Sequence, residues 1–220
     1  MGVDSLEEFV PAHFGLRLEP LLRSQGYRDL GKVSSTVTAV AREMRAVAEM
    51  LARPQVWFGR RRVQRVTRDA LVLADGPTFH GSCFRTQMEK ATEVVCFVIT
   101  LGPALDARVA ALSDADDMLE ALFLETAGSV AVQETVRRFR MHLAPRMAAD
   151  GLRLSSRLGP GYGDWPLTDQ ESLFGMFPSD LPVRLTDGCI MVPLKSLSGL
   201  FGLLPAPVSP RPEPRGGRYG

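Results

Sequence analysis

Long hydrophobic runs are missing from this chain of 220 residues. Its greasiest stretch, Val94 to Leu101, contains Thr100 and is flanked by Glu93 and Gly102, well short of the ~20 apolar residues that a membrane-spanning helix requires. Cysteine is scarce too: Cys83, Cys96 and Cys189 are odd in number, far apart and without a C-x-x-C pair. That argues against a disulfide framework and a structural zinc site. With only His13, His80 and His142 to add, a metal centre would have to be assembled from distant residues, and none is expected. An excess of one charge is also absent, since 26 basic residues face 25 acidic ones for a formal charge of +1. Bulk electrostatics therefore predict neither nucleic-acid nor membrane binding. The opening MGVDSLEEFV lacks a basic region followed by an apolar one, so the expected location is the cytoplasm.

What is present is a globular composition, 45% hydrophobic and 23% charged, which excludes fibrous, collagen-like and wholly disordered chains. The amphipathic stretch from Leu16 to Leu22 predicts a short helix. From Ser34 or Ser35 as N-cap, Val37, Val40, Met44, Val47 and Leu51 recur at helical spacing, with Pro54 beyond the end. The segments QVWFG, RVQRV and DALVLADG read as short strands separated by turns at Gly59, Arg60 to Arg62, Arg68-Asp69 and Gly76-Pro77. TEVVCFVITLG reads as a strand buried on both faces, after which Gly102-Pro103 opens a helix through Ala111. The longest helical pattern runs from Asp114 to about Leu143. Asp116 and Asp117 near its start and Arg137, Arg138, Arg140 and Arg146 toward its end complement the helix dipole. Gly128-Ser129 in its middle marks close packing, a kink or the approach of a ligand.

From Gly151 onward short strand signals alternate with turns. Arg157-Leu158-Gly159-Pro160-Gly161-Tyr162-Gly163 places a guanidinium at the end of a strand and before a loop that lets backbone approach a ligand closely. It is either a hairpin turn with a surface arginine or an anion-recognising loop. No Gly-Lys-Ser/Thr follows and no helix begins at once, so it is not a P-loop, and it lacks the G-x-G-x-x-G spacing of a dinucleotide site.

Arg157-x-x-x-Gly161-Tyr162 resembles the R-x-x-x-G-Y signature of the S-adenosylmethionine-binding activation domain of vitamin B12-dependent methionine synthase. Downstream, Leu185-Thr186, Met191-x-Pro193 and Ser196-Leu197-Ser198-Gly199 resemble that family's L-T, M-x-P and S-V-S-G pattern at similar spacing. The resemblance is strong over 150 to 204 and looser over 80 to 145; the first seventy residues resemble only short, free-standing members. It implies an α+β fold, a twisted, largely antiparallel sheet with packed helices, in one domain over 1–204. That domain has a helical and strand part over 1–75 and a core over 76–204, and the Pro/Arg/Gly-rich residues 205–220 form a disordered tail.

The resemblance also implies a site. Arg157 holds the carboxylate of S-adenosylmethionine, Gly159 and Gly161 admit backbone contact, Pro160 stiffens the loop, and Tyr162 shapes the pocket near the methyl group. The family's acid on the long helix falls near Gln133-Glu134, with Gln133 where relatives carry Glu. Glu134 then either substitutes for it or is a solvated helix charge. Trp165 is either a packing anchor or a contact to the ligand or corrin. Met191 and Ser196 are core residues or face the corrinoid partner, and Lys195, which departs from the fused synthases, either contacts a corrin side chain or is solvated. No D-x-H-x-x-G motif is present to ligate a corrinoid, so the cobalamin would be carried by a separate protein.

The implied activity is reductive reactivation in trans. The oxidised corrinoid of a methyltransferase, most simply methionine synthase, takes one electron from a flavodoxin-like or other donor and then the methyl group of S-adenosylmethionine. No acid, base or protein nucleophile is needed, in keeping with the lack of a Ser/His/Asp or Cys/His constellation. The alternative is a non-catalytic corrinoid-protein binding module or chaperone that keeps the fold. Arg60, Arg61, Arg62, Arg65 and Arg68 form the densest positive cluster, either a solvated face or a dock for an acidic partner. Thr168-Asp169-Gln170-Glu171 predicts a capping box for a short helix. The cysteines read as small buried residues, and His80 as a local hydrogen-bonding group.

Overall fold

The computed structural model describes residues 6–11 and 15–207. In chain order the elements are β1 (Glu7–Phe9), α1 (Leu18–Ser24), α2 (Ser35–Leu51), β2 (Gln55–Val66), β3 (Ala70–Leu73), β4 (Thr78–His80), α3 (Cys83–Met88), β5 (Glu93–Thr100), α4 (Ala104–Asp114), α5 (Met118–Ala149), β6 (Leu152–Leu158), α6 (Asp169–Phe174), β7 (Arg184–Leu185), β8 (Met191–Val192) and β9 (Ser196–Pro205). The main sheet runs β4-β3-β2-β5-β9-β6, with β1 on the edge of β2 that also holds β3, and every pairing is antiparallel. The α+β expectation holds. No described helix is long and apolar enough to cross a membrane.

Alternation along the central strands builds two cores. Val95, Phe97 and Ile99 of β5 and Leu197, Phe201 and Leu203 of β9 face α1, α2, α4 and α5. Their neighbours Val94, Cys96, Val98, Leu200 and Leu204 face α3, α6 and the β3–β4 hairpin. Period-two alternation with apolar residues on both faces is what a strand covered on both sides requires. On the first face α2 buries Ala41, Met44 and Ala48, and its N-cap is Ser34, whose hydroxyl accepts from the Val37 amide at 3.3 Å.

Four local expectations need correction. The segments QVWFG and RVQRV are one 12-residue strand rather than two. The arginines between them are accommodated because Arg60 pairs with Glu93 and Asp150 while Arg61 is buried, so only Arg62, Arg65 and Arg68 of that cluster are exposed. The long helix starts and ends later, at Met118 and Ala149, and runs past Pro145. Its basic residues do more than complement a dipole. Arg146 pairs with Glu7, and Arg140 donates to the carbonyls of Ser155 at 2.5 Å and Leu154 at 2.9 Å, where the β6 register shifts between Leu154 and Arg157.

Thr168 does not cap α6 through its side chain, because the preceding turn already supplies the Leu167 carbonyl to the Gln170 amide and the Pro166 carbonyl to the Asp169 amide. Finally, Pro205 ends β9 and the Ala206 amide donates to the Gly151 carbonyl at 2.8 Å, so the start of the expected tail is paired. Residues 208–220 lie outside the described residues, as does His13.

β6 and β9 approach so closely that a Cβ on Gly199 would clash with the Leu158 carbonyl oxygen. Because the obstacle is backbone, Gly199→Ala must push the two strands apart. We expect it to cost about 1–3 kcal/mol, read as a lower urea midpoint at unchanged slope. Gly15→Ala, with nothing within 4 Å of the added carbon, should change stability by less than about 0.5 kcal/mol.

Candidate functional site

β6 delivers Arg157 beside Phe201 of β9, and the chain then turns through the loop 159–163. Gly159 is needed for contact, since a Cβ there would stand 3.1 Å from the Ser198 carbonyl and 3.4 Å from Arg157 Nη1. Gly161 and Gly163 adopt φ of 84° and 63°, the left-handed region that a side chain disfavours. The turn is closed by the Tyr162 amide donating to the Gly159 carbonyl at 3.1 Å and the Gly161 amide donating to the Trp165 carbonyl at 2.9 Å. The Arg157 guanidinium lies 5.0 Å over the centroid of the exposed Tyr162 ring, a cation–π contact. Its Nη1 is buried and has no hydrogen-bond partner among the described residues.

The loop is braced from below. Asp164 accepts from the amides of Ser82 at 2.5 Å and Cys83 at 3.1 Å. Hydrogen bonds from the Ser82 side chain and amide, then the Cys83 amide, hold its carboxyl well below the ordinary range. Burial, reinforced by Asp164, pushes the Cys83 thiol up to about 11, so that thiol is neutral and unreactive near pH 7. Trp165 is 1% exposed, wedged between Phe79 and Phe84 at 5.1 and 4.8 Å, and donates to Asp169. The partner-facing reading of Trp165 is thus overturned: its ring is an anchor of the second core.

Lys195 also departs from expectation. It is 5% exposed, its stem crosses Gly128 of α5, and its Nζ donates to Glu125 Oε1 at 2.5 Å. A Cβ on Gly128 would stand 2.6 Å from Lys195 Cε, so close packing is the reason for the mid-helix glycine. Lys195 is neither solvated nor turned toward a partner. Ser196 donates to the Thr100 hydroxyl at 2.9 Å, and Met191 is half-buried against the second core. Ser198, whose carbonyl faces Gly159, is three positions on from Lys195, so Lys195 and the Arg157 loop lie roughly 10 Å apart along the chain entering β9.

Glu134 does not join this group. Nine residues beyond Glu125 it points to about the opposite side of α5, and both its oxygens accept from guanidiniums: Arg137 through Nε and Nη2, Arg138 through Nε, each at 2.7 Å. It is not a solvated charge either, with its side chain 18% exposed. The hydrogen bond from Arg137 leads in keeping its carboxyl below the usual range.

Sequence reasoning passed over three residues that build the site. Glu125 neutralises Lys195, Asp106 Oδ2 accepts from the Leu194 amide at 2.6 Å, and Gln170 is buried. Gln170 donates to the Cys189 carbonyl at 2.7 Å and accepts from the Ser198 hydroxyl at 3.3 Å. Of these only Glu125 left a trace, in Gly128 three positions on.

Two measurements test this electrostatic bracing. Glu125→Ala strands a buried ammonium and should cost about 1–3 kcal/mol, its partner being half-exposed. Lys195→Met should be close to neutral, and the double variant more stable than Glu125→Ala alone. For Asp164, a folded pKa below the unfolded one adds stability that is present above about pH 4 and is lost as pH falls through the folded value. The stability gap between wild type and Asp164→Asn should therefore be full at pH 7 and shrink as urea titrations move toward pH 2.

No family model matches the sequence, and no curated protein matches it. Among solved structures, the chain is similar to the MetH reactivation domain bound to AdoHcy, with a TM-score of 0.61 at 14% identity over 94% of this chain and 80% of that one. At that identity the likeness establishes architecture: the chain has the fold of the MetH reactivation domain.

Proposed function

We propose that the Arg157 loop binds an S-adenosyl ligand and that the protein serves as a reactivation module for a corrinoid carried by a separate methyltransferase, most simply a methionine synthase. The observation that carries this reading is Arg157 Nη1, a buried cationic donor without a hydrogen-bond partner among the described residues, beside a glycine loop. A buried donor left unpaired is costly, and a ligand carboxylate satisfies it. The fold shared with a domain solved with AdoHcy supports the choice of ligand.

In this reading Arg157 takes the carboxylate, Gly159 and Gly161 keep the backbone low enough for ribose and base to lie on it, and Pro160 limits the loop's freedom. The exposed Tyr162 ring shields the sulfonium end from water. The ligand supplies a methyl group and the partner's corrinoid receives it, after reduction by a flavodoxin-like or other electron donor. The chain's own residues move no proton; they place one carbon and exclude solvent. Tyr162 and Leu167, both large and exposed and adjoining at the loop, offer the partner an apolar contact there.

A second reading, a corrinoid-protein binding module without methyl donation, is favoured by one feature. Gln133 stands where relatives carry the acid for the ligand's ammonium, and Glu134, the candidate substitute, is engaged by Arg137 and Arg138 on the side of α5 opposite Glu125. Calorimetric titration separates the two. S-adenosylmethionine and S-adenosylhomocysteine should bind the wild-type protein, and Arg157→Ala should weaken both about tenfold or more. Wild-type protein that binds neither ligand, alone or with a corrinoid methyltransferase, leaves the binding-module reading.

A further inference from the structure

A cleft of about 450 Å³ opens near the start of β6, between that strand and the end of α3, a volume in the range of small-molecule sites. Gly202 explains why it exists. With no side chain there, α3 settles low on β9, where a Cβ would stand 2.9 Å from Met88 Cγ. The helix stops at Met88, so the next residue on that face of β9, Leu204, becomes the floor of a cleft with Pro205 and Pro207.

Arg153 of β6 is opposite Leu204 in register, and opposed residues share a face of the sheet. It therefore leaves β6 on the side of the second core. Arg157, opposite Phe201, leaves on the side of the first, because the register shifts between Leu154 and Arg157. The cleft shares no residue with the Arg157 loop.

Four charged side chains line it: Arg85, Glu89, Lys90 and Arg153. Arg85 Nε lies 3.7 Å from Glu89 Oε1, and those two charges offset each other. Lys90 and Arg153 are exposed, and neither makes a side-chain hydrogen bond or ion pair among the described residues. The carboxylates nearest them in sequence outside the cleft, Glu93 and Asp150, are both taken up by Arg60. The carbonyl end of α3 beside Lys90 offsets no more than about half of one charge.

An ammonium and a guanidinium left without a carboxylate, over an apolar floor, match a dianionic head joined to an apolar body. We propose that this cleft binds a small organic phosphate, with its phosphate between Lys90 and Arg153 and its apolar body on Leu204, Pro205 and Pro207. The site does not rest on the S-adenosyl reading, since it uses other residues on the other face of the sheet.

The test is calorimetric titration at low salt of phenyl phosphate, inorganic phosphate and phenol into the full chain. Phenyl phosphate should bind, inorganic phosphate should bind more weakly, and phenol should not bind. Lys90→Ala and Arg153→Ala should each weaken phenyl phosphate by about tenfold. Arg157→Ala should leave it unchanged, as should the pair Arg62→Ala and Arg65→Ala, which removes exposed positive charge elsewhere. No binding of phenyl phosphate overturns the site. So does binding that ignores Lys90→Ala and Arg153→Ala in protein with wild-type circular dichroism, or that falls equally in either control. Equal affinity for phenyl phosphate and inorganic phosphate overturns the role of the apolar floor.

Discussion

β9 is paired along both edges and covered on both faces, and the rest of the molecule is arranged around that double enclosure. β5 takes one edge over the full length from Glu93 to Thr100, and β6 takes the other. Such a strand has no freedom to slip, because a one-residue shift would exchange the apolar sets that face the two cores. The contact of Gly199 with the Leu158 carbonyl then fixes how near β6 can come. That spacing sets Arg157, Gly159 and the loop beyond them, so the candidate site inherits its position from the most constrained part of the sheet.

Polar groups inside this frame each join two layers. Lys195 ties the start of β9 to α5 through Glu125, Gln170 ties α6 to Ser198 and the Cys189 turn, and Arg140 ties α5 to the β6 irregularity. Ser155 completes the last of these by accepting from the Gly202 amide at 2.9 Å. Buried polar groups carry a large penalty when unpaired and a modest gain when paired. Their effect is therefore to specify one arrangement of layers more than to add stability.

The loop itself is rigidly held. Asp164, Trp165 and the glycine turns brace it through contacts that leave the Arg157 face and the Tyr162 ring available. The proposed role, holding a ligand's carboxylate and presenting its far end, would need such rigidity more than titrating side chains. Cys83 and Cys96, with thiols raised to about 11 and about 12 chiefly by burial, contribute no nucleophile near pH 7.

The elements legible in the sequence were those governed by local physics. Ser34 capping α2, the doubly buried β5 and the turn-forming glycines after Arg157 all follow from short-range rules of capping, periodicity and φ preference. The R-x-x-x-G-Y pattern marked the candidate loop for the same reason, since its residues lie in one short stretch. Tertiary structure alone decided the rest. Three arginines in a row read as a break in β2 until Glu93 and Asp150 are brought beside Arg60. Lys195 read as a solvated charge or a corrin contact because Glu125 lies 70 residues away, and Glu134 read as either a ligand group or a solvated charge because only the rotation of α5 shows which way it points. Charges and aromatic anchors are assigned by their partners across the fold, and those partners are distant in sequence.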